Sequence, residues 1–142
     1  MMRMPVLTPV FNFTGNCEEA MALYAKAFGT KPDFLLRYAD ADPRDFDKPL
    51  TDTQKRMIYH AEMHICGQRV MFSDIVEFDL QKGTALFLTV TFDTPEDVKG
   101  AYEVLKDGAT ILYPMHSTTY SSCLVSLIDR YGNRWGLMTE NG

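Results

Sequence analysis

The chain has 142 residues, 46% hydrophobic and 23% charged, with 14 Lys+Arg against 19 Asp+Glu and a net charge of −5. One ordinary domain of this length buries roughly 70% of its unfolded surface without a metal or disulfide staple, and the composition excludes disorder and low complexity. The acidic balance argues against nucleic acid as a partner, because that affinity is mostly phosphate neutralisation by clustered cations. No apolar run approaches the ~18 to 20 residues that span a bilayer.

The opening Met1 to Pro9 carries one cation and two prolines. No small-residue cleavage site follows a long apolar core, so it does not read as a signal peptide. Thr8 to Phe13, β-branched and aromatic, predicts a strand. Ala20, Leu23, Tyr24, Ala27 and Phe28 then recur at helical spacing, with Asn16 as N-cap, Glu19 three residues on and Gly29 as a left-handed stop. A strand is expected near Asp33 to Tyr38. The charged, proline-bearing Asp40 to Arg56 reads as a long loop, a flap over a site.

Ile58 to Ile65 and Arg69 to Ser73 predict two strands joined by a tight turn at Gly67-Gln68. Thr84 to Asp93 predicts another, with Leu86, Leu88, Val90 and Phe92 on one face. Thr94 caps a second helix, Pro95 fits its first position, and Glu96 and Asp97 sit at the positive end of its dipole. Val98, Ala101, Tyr102 and Leu105 supply the buried stripe, and Gly108 stops the helix. Strands near Thr110 to Tyr113, Ser121 to Ile128 and Asn133 to Met138 follow. Cys17, Cys66 and Cys123 are odd in number, widely spaced and without a C-x-x-C. That is the pattern of a reduced, cytoplasmic chain whose cysteines are small apolar fillers.

The pattern occurs twice. Thr8 to Phe13 matches Phe87 to Phe92, Glu18 to Tyr24 matches Glu96 to Tyr102, and Gly67-Gln68-Arg69 matches Gly132-Asn133-Arg134. The expected class is α+β: one domain over 1–142, built from two β-α-β-β-β modules at about residues 5–80 and 84–140. A helix covers one face of each sheet. The other face curves around a partner module, a ligand or both.

Val10-Phe11-Asn12-Phe13-Thr14-Gly15-Asn16-Cys17-Glu18-Glu19-Ala20, with Tyr24 and Phe28-Gly29, resembles the opening of the PhnB-like branch of the vicinal oxygen chelate (glyoxalase/bleomycin-resistance) superfamily. His60-Ala61-Glu62, Met71-Phe72-Ser73-Asp74 and Asp129-Arg130-Tyr131-Gly132-Asn133-Arg134-Trp135 continue the resemblance. It implies paired modules forming a cupped mixed sheet, and a homodimer. It does not fix an activity, since the superfamily holds isomerases, dioxygenases, antibiotic-modifying enzymes and binding proteins.

The resemblance also implies where a metal would sit. Catalytic members place a His or Gln on the first strand of each module and a Glu on the last, positions that fall here on Thr8, Phe87, Met71 and Gly136. None is an imidazole or carboxylate, so no divalent metal and no other cofactor is expected, and metal-dependent isomerase or dioxygenase chemistry loses its electrophile.

The sharpest polar constellation is His60, Glu62 and His64, which strand periodicity puts on one face with Arg69 and Ser73, opposite Ala61, Met63 and Ile65. The reading is a small organic ligand in a cup lined by Thr8, Val10, Asn12, His64, Met71, Phe87, Thr89 and Tyr120, beside His60 and Glu62. The alternative is a lyase, isomerase or transferase that uses His60 and Glu62 as catalytic acid and base, with or without a relocated divalent metal. A dimerising module without ligand is the third. Asp74 and Asp129, at strand ends, read as turn caps, and Trp135 as core. No G-x-S-x-G and no G-x-G-x-x-G is present.

Overall fold

The computed structural model describes residues 4–141. Met1, Met2 and Arg3, which begin the segment read against a signal peptide, lie outside the described residues, as does Gly142. The chain divides into two compact units, Met1–Ala25 with Thr30–Leu80, and Lys26–Gly29 with Gln81–Gly142. No helix among the described residues is long and apolar enough to cross a membrane.

The first unit holds β1 (Val10–Phe13), α1 (Cys17–Phe28, whose last turn groups with the second unit), β2 (Pro32–Arg37), α2 (Asp52–Arg56), β3 (Ile58–Ile65) and β4 (Gln68–Asp74). Its sheet order is β1-β4-β3-β2, with β1 parallel to β4 and the other pairs antiparallel. Phe13, Ala61, Met63, Val70 and Phe72 are buried. α1 buries Cys17, Ala20, Met21 and Tyr24, a stripe set nearer its start than the expected one; Leu23, Ala27 and Phe28 are only half-buried.

The start of that helix is tied to Asp74, 1% exposed at the end of β4. Its Oδ1 accepts from the backbone N–H of Gly15 (2.7 Å) and Cys17 (3.1 Å), and its Oδ2 from that of Ile58 (2.9 Å). One carboxylate thus caps α1 and starts β3, while its own carbonyl accepts from the Tyr38 hydroxyl at 2.6 Å. It holds remote chain, not the local turn that the sequence suggested.

The Asp40 to Arg56 stretch is not a featureless loop. Thr51 Oγ1 accepts from Gln54 N–H and Gln54 Oε1 from Thr51 N–H, a capping box that nucleates α2 inside it. The stretch is tied down by Phe46, whose ring lies 5.3 Å from that of Tyr38 and 5.2 Å from that of Tyr59. Tyr59 alternates away from His60 along β3, so this stretch packs behind the polar face and does not lie over it as a flap.

The second unit repeats the order with β5 (Leu88–Phe92), α3 (Pro95–Leu105), β6 (Thr110–His116), β7 (Leu124–Ile128) and β8 (Arg134–Thr139), arranged β5-β8-β7-β6. Thr94 Oγ1 accepts from Asp97 N–H, with Pro95 in the first turn. α3 buries Val98, Ala101 and Leu105 against a sheet that contributes Val125, Leu127, Trp135 and Leu137. Asp129 does cap its turn, accepting from the N–H of Tyr131 and Asn133, and it also takes the Trp135 indole N–H at 2.9 Å.

Several boundaries differ from expectation. β5 starts at Leu88, because the carbonyl of Thr84 is taken by Arg134 and Leu86 is 89% exposed. β7 starts at Leu124, after Ser121 and Cys123 have bonded to each other and to Thr139. The β3–β4 turn is Cys66-Gly67, both at positive φ as a primed two-residue turn requires, so Gln68 belongs to the strand and Cys66 is exposed, not a filler. Cys17 and Cys123 are buried, and burial raises the Cys17 thiol far above its ordinary range.

Asp74→Ala leaves three backbone donors unsatisfied, and its unfolding free energy in urea should fall by about 3 kcal/mol or more. Thr51→Ala, which removes only the cap of α2, should cost about 1 kcal/mol.

Candidate functional site

Strand alternation and register fix what each sheet presents on the face away from its helix. In the first unit Val10 pairs with Met71, Met71 with Glu62 and Glu62 with Phe34. Asn12 pairs with Ser73, and Arg69 with His64. These side chains are half-buried or exposed, while Ala61, Met63, Val70 and Phe72 between them are buried. The division of β3 into a polar and an apolar face follows its sequence.

The structure joins some of the predicted residues and separates others. Glu62 receives Arg69 Nε on Oε1 at 2.6 Å and Arg69 Nη2 on Oε2 at 2.7 Å, a two-pronged pair. His60 Nε2 lies 2.8 Å from the same Oε2, and the His60 ring is 6.0 Å from that of Phe34. The Ser73 hydroxyl donates to Asn12 Oδ1 at 2.9 Å. His64 is not part of this cluster; it turns to the neighbouring strand, with Nδ1 2.6 Å from Asp33 Oδ2. Thr8 is half-buried just before β1, and Val10 is 54% exposed.

The Arg69 guanidinium first, and the His60 hydrogen bond second, hold the Glu62 carboxyl down at about 2. A carboxylate that ionised and that fully engaged is a poor proton acceptor. It can orient His60, as the third member of a relay orients its base. Two hollows of the first unit, about 500 and 490 Å³, are both lined by Asp47, Lys48, Pro49 and Leu50. None of the predicted site residues lines either.

In the second unit the corresponding face is a hollow of about 170 Å³. Phe87, Thr89 and Tyr120, three of the predicted ligand residues, line it together with Tyr113, Ser126 and Arg134. Thr89, Gly136 and Ser126 form one row across β5, β8 and β7, with Tyr113 of β6 opposite Ser126. Gly136 lets the wall close up: a Cβ there would meet Thr89 Oγ1 at 2.7 Å and the Phe87 ring at 3.2 Å. The Arg134 guanidinium stacks 3.7 Å over that ring, donates from Nη1 to Thr84 O at 2.8 Å and lies 3.3 Å from Ser126 Oγ through Nε.

Sequence reasoning passed over Tyr113, Ser126 and Arg134. The signal was there in part: Trp135 and Leu137 are apolar and buried, so Arg134, Gly136 and Met138 between them face the other way. Ser126 carried no such signal, because only its pairing with Gly136 shows that it stands where Glu62 stands opposite Met71.

The Glu62 carboxyl is depressed in the folded chain, so its pairing stabilises the fold above the unfolded value near 4.5 and is lost as pH falls towards about 2. The melting temperature of Glu62→Gln should therefore lie below that of the parent at pH 6. The gap should close between pH 4.5 and 2 in a thermal melt series.

No protein-family model matches the chain. It is similar to Protein YjdN of Escherichia coli, at 22% identity over 135 residues and 91% of each chain. A solved structure of the PhnB protein from Bacillus cereus superposes with a TM-score of 0.79 at 28% identity, covering 95% of this chain and 99% of that one. A Pseudomonas aeruginosa protein superposes with a TM-score of 0.82 at 21% identity, covering 98% and 100%. At 13% identity the fold alone is shared with a glyoxylase/bleomycin resistance protein/dioxygenase domain from Frankia sp. EAN1pec, with a TM-score of 0.66 over 99% and 100%. Its two β-α-β-β-β units give the chain the glyoxalase-like α+β fold of the vicinal oxygen chelate superfamily, with PhnB-like proteins among its relatives.

Proposed function

We propose that this chain is a binding protein for a small organic molecule, held on the open face of the second unit, without the divalent metal centre of the superfamily's enzymes. The observation that carries the reading is the hollow lined by Phe87, Thr89, Tyr113 and Tyr120, a small site whose wall is mainly apolar and aromatic with a few convergent polar groups.

The donor set supports the second half of the proposal. Met71 offers a thioether and pairs in register with Val10; Phe87 and Thr8 offer no strong ligand for a divalent ion. Gly136 has no side chain, and the space a carboxylate would need there is filled by Thr89 and Phe87. A relocated ion at His60 and Glu62 would have to displace Arg69 from both carboxylate oxygens. Among the described residues no group of three or more His, Cys, Asp or Glu is placed to hold a metal. The residues do not fit the ion.

The alternative, acid–base catalysis by His60, is favoured by its 2.8 Å contact with Glu62, which fixes the imidazole. In that case Glu62 orients and does not accept the proton, since its carboxyl is held at about 2.

Amide NMR of the purified protein against a panel of single-ring fragments tests the proposal. Saturable shifts at Thr89, Ser126 and Gly136, unchanged by EDTA and unchanged in His60→Ala, are expected. Loss of the shifts with EDTA, their loss in His60→Ala, or no fragment binding at all contradicts it.

A further inference from the structure

We infer that the second unit selects an organic acid: Arg134 clamps the ligand's carboxylate while a single flat apolar ring lies in the hollow beside Phe87 and Tyr113. This rests on the ligand-binding reading above and adds the chemical class.

Two arginines stand at matched places in the two sheets. Arg69 and Arg134 each follow the β-turn that opens the last strand of their unit, and each reaches diagonally to the neighbouring strand. In the first unit the residue waiting there is Glu62, and it takes the guanidinium through two hydrogen bonds. In the second unit that register position holds Ser126, a neutral hydroxyl. One guanidinium is neutralised within its own sheet. The other is not.

Arg134 is half-buried, and no carboxylate lies within ion-pair reach of it among the described residues. It is also the one charged side chain among the residues lining the hollow. A guanidinium carries five N–H donors. Thr84 O and Ser126 Oγ take one each, which leaves three without an acceptor among the described residues. Stacking at 3.7 Å over Phe87, together with the short bond to Thr84, holds the planar group in one orientation before any ligand arrives.

A fixed, uncompensated fork in a partly dry aromatic hollow favours a carboxylate, which accepts two parallel N–H bonds in plane. A closed cavity of ~150 Å³ holds benzene, so the 170 Å³ or so of this open hollow takes one ring.

Titration of the intact protein with benzoate and with benzamide, followed by amide NMR, tests the inference, since the two differ in charge and hardly in shape. Benzoate should shift the amides of Thr89 and Gly136 and bind ~10-fold or more tightly than benzamide. Arg134→Gln should bring the two affinities together, and Arg134→Lys, which keeps the charge and loses the fork, should fall between. The benzoate-to-benzamide ratio in the unmutated protein decides the matter even where a variant folds poorly. Equal or tighter benzamide binding overturns the inference and leaves the binding reading intact. Benzoate shifts clustered at His60 and Arg69 overturn it, as does binding of neutral fragments in the hollow with no response to benzoate.

Discussion

The carboxylate of Asp74 is the constraint on which the first unit is built. Two segments far apart in sequence present three backbone N–H groups to it: Gly15 and Cys17 at the entry to α1, and Ile58, the first residue of β3. Those donors are orphans by construction, since a helix start and a strand start have no partner of their own. One acceptor at the end of β4 satisfies all three. It closes the strand whose Met71 pairs with Glu62 and whose Arg69 pairs with His64 on the open face. In the second unit Thr139 holds the same register position opposite Phe92, and its hydroxyl accepts from Cys123 N–H just before β7. A neutral hydroxyl there takes over only the strand start, while the helix of that unit is capped by Thr94.

That substitution of neutral for charged runs through the second unit and explains why two copies of one architecture present different chemistry. The first sheet's open face is closed on itself: Glu62 is shared by Arg69 and His60, Asn12 by Ser73, and His64 by Asp33. The second sheet replaces Glu62 by Ser126 and Met71 by Gly136, and gains a hollow with an arginine at its edge. The backbone is common to both. What differs is whether the strand opposite supplies the counter-charge.

Much of this was legible in the chain before any coordinates. The duplicated order, Thr94-Pro95-Glu96-Asp97 as a helix start, and the separation of His60 and Glu62 from Ala61 and Met63 follow from local chemistry and periodicity. Three things were not. Asp74 looks like any aspartate beside a turn, and its partners lie 57 and 59 residues away at the start of α1. The strand boundaries at Leu88 and Leu124 are set by side chains that capture backbone groups, Arg134 on Thr84 and Thr139 on Cys123, and propensity does not see such captures. The hollow itself needed the pairing of β7 with β8, because only cross-strand register shows Ser126 facing Gly136 where a carboxylate faces a methionine in the other half.

Diffraction from crystals of the protein purified without chelators and grown with a single-ring carboxylic acid, recorded at wavelengths spanning the zinc, nickel, iron and manganese edges, bears most directly on the whole interpretation. Expected is difference density for the acid between Arg134 and Tyr113, with no anomalous peak beside Met71 or Gly136. An anomalous peak at either strand, with the hollow of the second unit empty, contradicts it.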